Sequence, residues 1–306
     1  MKRQVYVLTL LCTVMLISCF YFNCCAVRHT ENGKRVFVDS LERTVRAERN
    51  QRVVSLSPEL TELLFICGWG DRIIGRSAWC TYPPAAKNIP VLGNWNTVYY
   101  ERLMELKPDI VFISAETETE TMQHIESMGI PVGIVYYQSA HAMITMIEHL
   151  ESFFGVTPQS KKTRLYCSRK IKQYTTIREK RKNAIHPRMF IMIDPSTLWT
   201  AGKGSILDEV ITCAGFSNVV SELAVHDDYF VINAEQLLML KPEYILCTWA
   251  PARTADSKAS TVIPAWLNEY VMQNNVSLIT NINPDNYSRV TPRIFNAIEE
   301  LSDYLK

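Results

Sequence analysis

Aromatic side chains concentrated in loops are the first candidates for chemistry in this chain. Trp79, Tyr82, Trp95, Tyr99 and Tyr100 lie in one stretch between a predicted strand and a predicted helix, where exposure is expected. Aromatic rings bury a large area and stack on planar groups without needing hydrogen bonds. The pattern therefore favours a site that binds a large planar or chelated molecule.

The sequence contains no recognisable catalytic or metal-binding constellation. The 6 histidines are scattered, no serine stands in a Gly-x-Ser-x-Gly context, and no histidine pair has the spacing of metal ligands. The text GKGS at 202–205 differs from a phosphate-binding loop, because Gly204 follows the lysine where Ser or Thr is needed. We expect no catalytic residue, no metal ligand and no cofactor, and an exported enzyme is a distant alternative.

A repeated helix–strand unit indicates how such loops would be positioned. The text ERLMELKPDIVFIS at 101–114 returns as EQLLMLKPEYILCT at 235–248. In each copy, leucines three apart predict a short helix, the Lys-Pro pair ends it, and the apolar run predicts a strand covered on both faces. The copies lie too far apart for a solenoid, whose periods are roughly 20–50 residues. We therefore expect two similar α/β lobes with a cleft between them, where small ligands commonly bind.

Local signals elsewhere predict further elements of these lobes. A strand at 52–56 leads into a helix that Ser57 can cap, with Pro58 and Glu59 in its first turn. The stretch 159–183 has neither glycine nor proline and predicts one helix of about 35 Å. Its basic run at 178–182 is interpreted as a solvated helix face. Because 32 basic residues balance 31 acidic ones, we expect no nucleic-acid partner.

The first residues are typical of an export signal. Lys2 and Arg3 precede a short apolar stretch within residues 1–18, and the following text, LISC, resembles the lipobox that is cleaved before a lipid-bearing cysteine. We expect Cys19 to be lipidated and residues 19–35 to form a tether. A plain signal peptide, cut near residues 25–26, is the alternative.

The 9 cysteines do not define a disulfide framework. Seven would remain besides Cys19 after cleavage, and an odd set cannot pair completely within one chain. Pairing of Cys67 with Cys80, or of Cys213 with Cys247, stays open at this point.

Several motifs in order carry a family resemblance. RVVSLSPELTELLFICG, the YPP at 82–84, GNW, ERLMELKPDIV, TAGKGS, AGFSNV and the closing segment 289–293 resemble the class III, helical-backbone substrate-binding proteins of ABC importers. The resemblance is strongest to cobalamin-binding members, and siderophore and haem binders share the plan. It implies an N-terminal α/β lobe at 36–158, a linker helix at 159–184, a C-terminal α/β lobe at 185–306, a ligand cleft between Rossmann-like lobes, and little hinge motion.

The resemblance also implies roles for individual residues. The positions that match ligand-facing aromatics are Tyr82, Trp95, Trp199 and Tyr287, and Tyr229 lies in a further ligand-facing loop, 226–230, that lacks the tryptophan expected there.

Glu101 and Glu235 match the glutamates that dock against arginines of the permease. The alternative is that they are only favourable charges at helix starts.

These roles describe an exported protein, lipid-anchored to the cell membrane and facing the periplasm or the exterior. Its partners would be an ABC permease dimer with its ATPase subunits and a metal-chelate ligand. The expected ligand is a corrinoid such as cobalamin, and haem or a ferric siderophore is the alternative. A surface protein that binds another macromolecule is a more distant alternative.

Overall fold

A three-stranded antiparallel sheet begins the part of the chain that the structure describes. The computed structural model describes residues 30–31, 34–49, 51–94, 97–115, 117, 119–248 and 263–305. Strands β1 (Thr30–Glu31), β2 (Lys34–Val38) and β3 (Thr44–Ala47) pair in the order β1-β2-β3. Strands β2 and β3 form an antiparallel hairpin.

The first lobe is a four-stranded parallel sheet with the order β5-β4-β6-β7. Its elements are β4 (Val53–Ser55), α1 (Pro58–Ile66), β5 (Ile73–Arg76), α2 (Tyr100–Leu106), β6 (Ile110–Ser114), α3 (Thr119–Ser127), β7 (Val132–Val135) and α4 (Ala140–Phe154). The strands are buried on both faces, as the continuous apolar runs predict.

The second lobe repeats this topology with the order β10-β8-β12-β13, again parallel. Its elements are β8 (Arg188–Met192), β9 (Trp199–Ala201), α6 (Ile206–Ala214), β10 (Ser217–Asn218), β11 (Tyr229–Val231), α7 (Ala234–Leu240), β12 (Tyr244–Cys247), α8 (Ala265–Asn274), β13 (Ser277–Ile279) and α9 (Ile294–Ser302). Strands β9 and β11 form a separate antiparallel pair. The two equal strand orders confirm the two-lobed α/β fold.

Equivalent residues end the repeated helices in the same way. Lys107 after α2 and Lys241 after α7 adopt left-handed conformations, with φ of 45° and 42°. A residue before proline is sterically excluded from the right-handed helical region, so each Lys-Pro pair stops its helix. Arg52 Nη2 donates to the carbonyl of Leu106 at 2.6 Å, and Arg188 Nη2 donates to the carbonyl of Leu240 at 2.6 Å. The repeat therefore extends to the arginines that bind each helix end.

Helix α1 begins as its sequence indicates. Ser57 Oγ accepts a hydrogen bond from the amide of Leu60 at 3.3 Å, and Pro58 and Glu59 fill the first turn. Leu63 and Leu64 are among the fully buried residues of this helix.

The long helix that joins the lobes is α5 (Pro158–Arg181), close to the predicted 159–183. A capping box starts it, because Thr157 and Ser160 each accept a hydrogen bond from the other's backbone amide. One apolar core passes beneath this helix and includes residues of both lobes, such as Phe37 and Leu301. The lobes are thus joined by shared packing as well as by the chain.

The described cysteines are all free thiols, so neither of the pairings left open by the sequence forms. Cys80 Sγ lies 3.1 Å from Ser77 Oγ and 3.6 Å from the carbonyl oxygen of Ser55, within its own lobe. Burial raises the pKa of Cys67 to about 12. Within the described residues, no helix is both long and apolar enough to cross a membrane.

Candidate functional site

A cleft of about 210 Å³ lies between the two lobes, at the carboxyl ends of their parallel strands. The first lobe lines it with Ser57 and Glu59 after β4, Ser114 at the end of β6, and residues 135–138 at the end of β7. Ligands of open parallel α/β sheets characteristically bind outside the carboxyl ends of the strands. The duplicated topology brings two such edges together.

Two aromatic residues dominate the second lobe's side of the cleft. Trp199 and Tyr229 face each other across the β9–β11 pair, with ring centroids 5.9 Å apart. Trp199 is 40% exposed, and Ile206, Ser288 and Val290 complete this wall. The structure therefore brings these two predicted ligand-binding residues into one surface of the cleft.

The other predicted aromatics are placed differently. Tyr82 is exposed but does not line the cleft, and the guanidinium carbon of Arg293 lies 4.2 Å from the centre of its ring, which covers one face. Trp95 lies outside the described residues.

The structure places Tyr287 in the core, whereas the sequence-based expectation was a ligand-facing residue. Its side chain is 0% exposed, and its hydroxyl donates to the carbonyl of Cys247 at 3.2 Å. A ring with no accessible face cannot stack on a ligand, so the prediction that Tyr287 contacts the ligand is wrong for this arrangement of the lobes. The residue instead packs the second lobe, where it belongs to the main core.

A buried ion pair that sequence reasoning missed joins the lobes. Glu62, on α1, accepts hydrogen bonds from Nε and Nη2 of Arg293 at 2.6 and 2.7 Å, and from the hydroxyl of Thr291 at 2.8 Å. The Glu62 side chain is 0% exposed and that of Arg293 is 13% exposed. The closing segment 289–293 was recognised as a motif, but its partner in the other lobe could not be read from the sequence.

The polar character of the cleft comes from few groups. Glu59 is the one charged residue among those that line it within the described chain, and its carboxylate accepts a hydrogen bond from Ser57 Oγ at 2.8 Å. Burial, followed by the charges of Glu59 and Glu62, raises the pKa of the Tyr137 hydroxyl well above its usual value near 10, so this hydroxyl stays protonated. The described residues contain no group of three or more His, Cys, Asp or Glu that could hold a metal ion.

The two glutamates predicted to dock against a permease lie on the surface. Glu101 and Glu235 are exposed and occupy the second positions of α2 and α7, the helices of the two repeat copies. Equivalent positions on two lobes of equal topology give one such carboxylate on each lobe.

Two parallel α/β lobes of equal strand order, joined by one long helix and separated by a cleft, define a two-lobed solute-binding protein. Residues 53–263 match the family described as "Periplasmic binding protein", and the chain belongs to that family. Membership implies export to the periplasm.

Similar proteins agree with this assignment. A vitamin B12-binding protein of Pectobacterium atrosepticum is 26% identical over 259 residues, covering 83% of this chain and 88% of that protein. The structure of the periplasmic vitamin B12 binding protein of Vibrio cholerae is similar with a TM-score of 0.64 and 22% identity, covering 83% of this chain and 96% of that one. A periplasmic haem-binding protein from Pseudomonas aeruginosa gives a TM-score of 0.64 and 20% identity, covering 83% and 92%. These solved structures share the fold.

Proposed function

We propose that this protein captures a corrinoid such as cobalamin in the cleft and delivers it to an ABC permease. The observation that carries the proposal is the composition of the described cleft lining, in which aromatic rings accompany one carboxylate, Glu59, and no cation. The curated relative named as a vitamin B12-binding protein supports the same ligand class.

The charge of the lining favours cobalamin over haem. Amide groups surround a corrin ring, and amides can donate to a carboxylate or accept from a hydroxyl. Haem carries two propionates, and Glu59 would repel them without a lining cation to compensate. The volume of about 210 Å³ is below the roughly 300–1,000 Å³ of typical ligand sites, so the lobes must part or the ligand must protrude.

Tryptophan fluorescence titrated in parallel with cobalamin, haem and ferric siderophores tests the ligand. Replacing Trp199 with alanine should weaken cobalamin binding by about 1–3 kcal/mol if the ring is a centre of the contact. Trp266 is a matched control, because it is also 40% exposed but lines a different groove on the second lobe. Affinities of Trp199→Ala and Trp95→Ala that both equal that of the parent protein, with all three folded, would exclude the cleft as the site.

Haem is a second candidate, because of one observation on Arg289. Its Nη1 is buried without a hydrogen-bond partner among the described residues, although its Nη2 lies 3.4 Å from Asp285 Oδ1. Arg289 does not line the cleft, although its neighbours Ser288 and Val290 do, so a ligand carboxylate would reach Nη1 only if this segment moved. Arg289→Gln should weaken haem binding and leave cobalamin binding unchanged if haem is the ligand, and isothermal titration with both molecules separates the two candidates.

Delivery is proposed to use Glu101 and Glu235 as contacts for arginines of the two permease subunits. Charge pairs at protein interfaces couple by roughly 1.5–7 kcal/mol, well above the about 0.3–1 kcal/mol of a charge at an exposed helix start. Replacing both with arginine should abolish permease binding and uptake while ligand affinity and melting temperature persist. Transport that continues in this double variant would leave only the helix-start role.

The anchor is proposed to be a lipidated Cys19, which lies outside the described residues. Each buried methylene of an acyl chain contributes about 0.8 kcal/mol to membrane binding. Cys19→Ser should move the protein from the membrane fraction to the soluble fraction, and an unchanged distribution would exclude lipidation at this residue.

A further inference from the structure

Helix α5 concentrates positive charge that the rest of the chain lacks. Its 24 residues include nine lysines and arginines and one acid, Glu179, which gives a net charge of +8. The complete chain has a net charge of only +1, so everything outside α5 is acidic on balance. Such a segregation of charge indicates a surface suited to a polyanionic partner.

Five of these cations form one stripe along the exposed face of the helix. At 3.6 residues per turn their positions fall on the side opposite the buried Cys167 and Tyr174. No side-chain partner is found for any of them among the described residues, whereas Arg164 pairs with Glu151 and Lys170 with Glu299. This cationic stripe consists of Lys161, Lys162, Arg169, Lys172 and Lys180.

Exposed apolar side chains accompany the cationic stripe. Leu165 is 44% exposed in its middle, and Ile185, just beyond the helix end, is 99% exposed. From Lys161 to Lys180 the stripe extends about 28 Å at ~1.5 Å per residue. Basic side chains interspersed with apolar ones along one helix are typical of surfaces that lie on anionic lipid headgroups.

We propose that the cationic stripe is a docking surface for an anionic lipid bilayer. No α5 residue lines the ligand cleft, so a protein resting on this face keeps the cleft accessible. The start of the described chain is close by, because β2 packs on α4 and α4 packs on α5. The 11 residue-to-residue steps from Cys19 to Thr30 reach at most about 40 Å, so a membrane-bound N-terminus would hold α5 near the bilayer. Docking of the cationic stripe on a bilayer requires neither a lipidated Cys19 nor a particular ligand in the cleft.

Vesicle sedimentation tests the proposal with the full chain carrying Cys19→Ser, so that no acyl chain contributes. Binding is compared between phosphatidylcholine vesicles and vesicles of equal parts phosphatidylcholine and anionic phosphatidylglycerol. The stripe variant carries Lys161→Gln, Lys162→Gln, Arg169→Gln and Lys172→Gln, since glutamine keeps helix propensity. The control variant neutralises four exposed lysines outside α5: Lys87, Lys107, Lys203 and Lys241.

We expect the parent protein to prefer the anionic vesicles and the stripe variant, which lacks four cations, to lose on the order of 600-fold in partitioning, from about fivefold for each cation. The control variant should lose much less, and added salt should weaken binding of the parent protein. Three results would overturn the proposal: equal binding to both kinds of vesicle, equal losses in the two variants, or tighter binding of a short DNA duplex than of the anionic vesicles. Circular dichroism melting confirms that each variant is folded.

Discussion

Replacing Glu62 with alanine is expected to destabilise the contact that joins the two lobes. Glu62 is fully buried and receives three hydrogen bonds, at 2.6, 2.7 and 2.8 Å, from Arg293 and Thr291 of the other lobe. The substitution leaves the guanidinium of Arg293, only 13% exposed, without its counter-charge. An uncompensated buried charge is far more costly than a lost surface contact.

The magnitude follows from this burial. Removing one partner of a buried ion pair costs about 3–5 kcal/mol in the free energy of unfolding. A chain of this size loses roughly 2–4 °C in melting temperature per kcal/mol, so Glu62→Ala should melt on the order of 10 °C lower. Replacing both partners, as Glu62→Leu with Arg293→Met, should recover most of that loss because no charge then stays buried.

Urea denaturation and thermal melting of Glu62→Leu, Arg293→Met and the double variant that combines them give the coupling free energy between the two residues. Glu126→Gln is the control, because Glu126 pairs with Arg43 at 3.3 Å with side chains 40% and 34% exposed. An exposed pair contributes at most about 1 kcal/mol. A cost below about 1 kcal/mol for Glu62→Ala, or a double variant no more stable than the singles, would refute the role assigned to this ion pair.

Three further predictions follow from the repeat and from buried groups. Arg52→Met and Arg188→Met each remove the hydrogen bond to the carbonyl at the end of a repeated helix, so each should lower the free energy of unfolding by about 1–2 kcal/mol in urea denaturation. A loss in only one of the two variants would contradict the equivalence of the two arginines. Burial raises the pKa of Glu209 above its usual value near 4.5, so the protonated form of this carboxyl favours folding. The free energy of unfolding of the parent protein, relative to that of Glu209→Gln, should therefore fall as the pH rises above 4.5 and through the raised pKa. A difference between the two proteins that does not change with pH would refute this prediction. Burial also raises the pKa of Cys247, which is 1% exposed, to about 12, so at pH 8 peptide mass spectrometry should find it unmodified by a thiol reagent until the protein unfolds, whereas rapid labelling of the native protein would contradict its burial.

The sequence was sufficient for elements whose signals are local. The repeat at 101–114 and 235–248 predicted two lobes, and both sheets have the same strand order. Ser57 caps α1 as expected, and the stretch without glycine or proline forms α5. Caps, helix-ending Lys-Pro pairs and apolar runs act within a few residues, so the order of amino acids contains the information.

Which aromatic residues reach the cleft depended on the tertiary structure. Trp199 and Tyr229 meet because β9 pairs with β11, while Tyr287 is enclosed by the second lobe. A tyrosine suits either a binding surface or a core, because it has an apolar ring and a polar hydroxyl. Sequence position alone could not distinguish these two environments.

The sequence by itself determined the two lobes, their helix caps and the helix that joins them. Only the tertiary structure decided which side chains meet across the lobes, as with Glu62 and Arg293, which are 231 residues apart. Their carboxylate and guanidinium come within hydrogen-bond distance because the two lobes pack at one particular angle. That angle depends on the burial of the shared core, a property of the whole chain that no local pattern encodes.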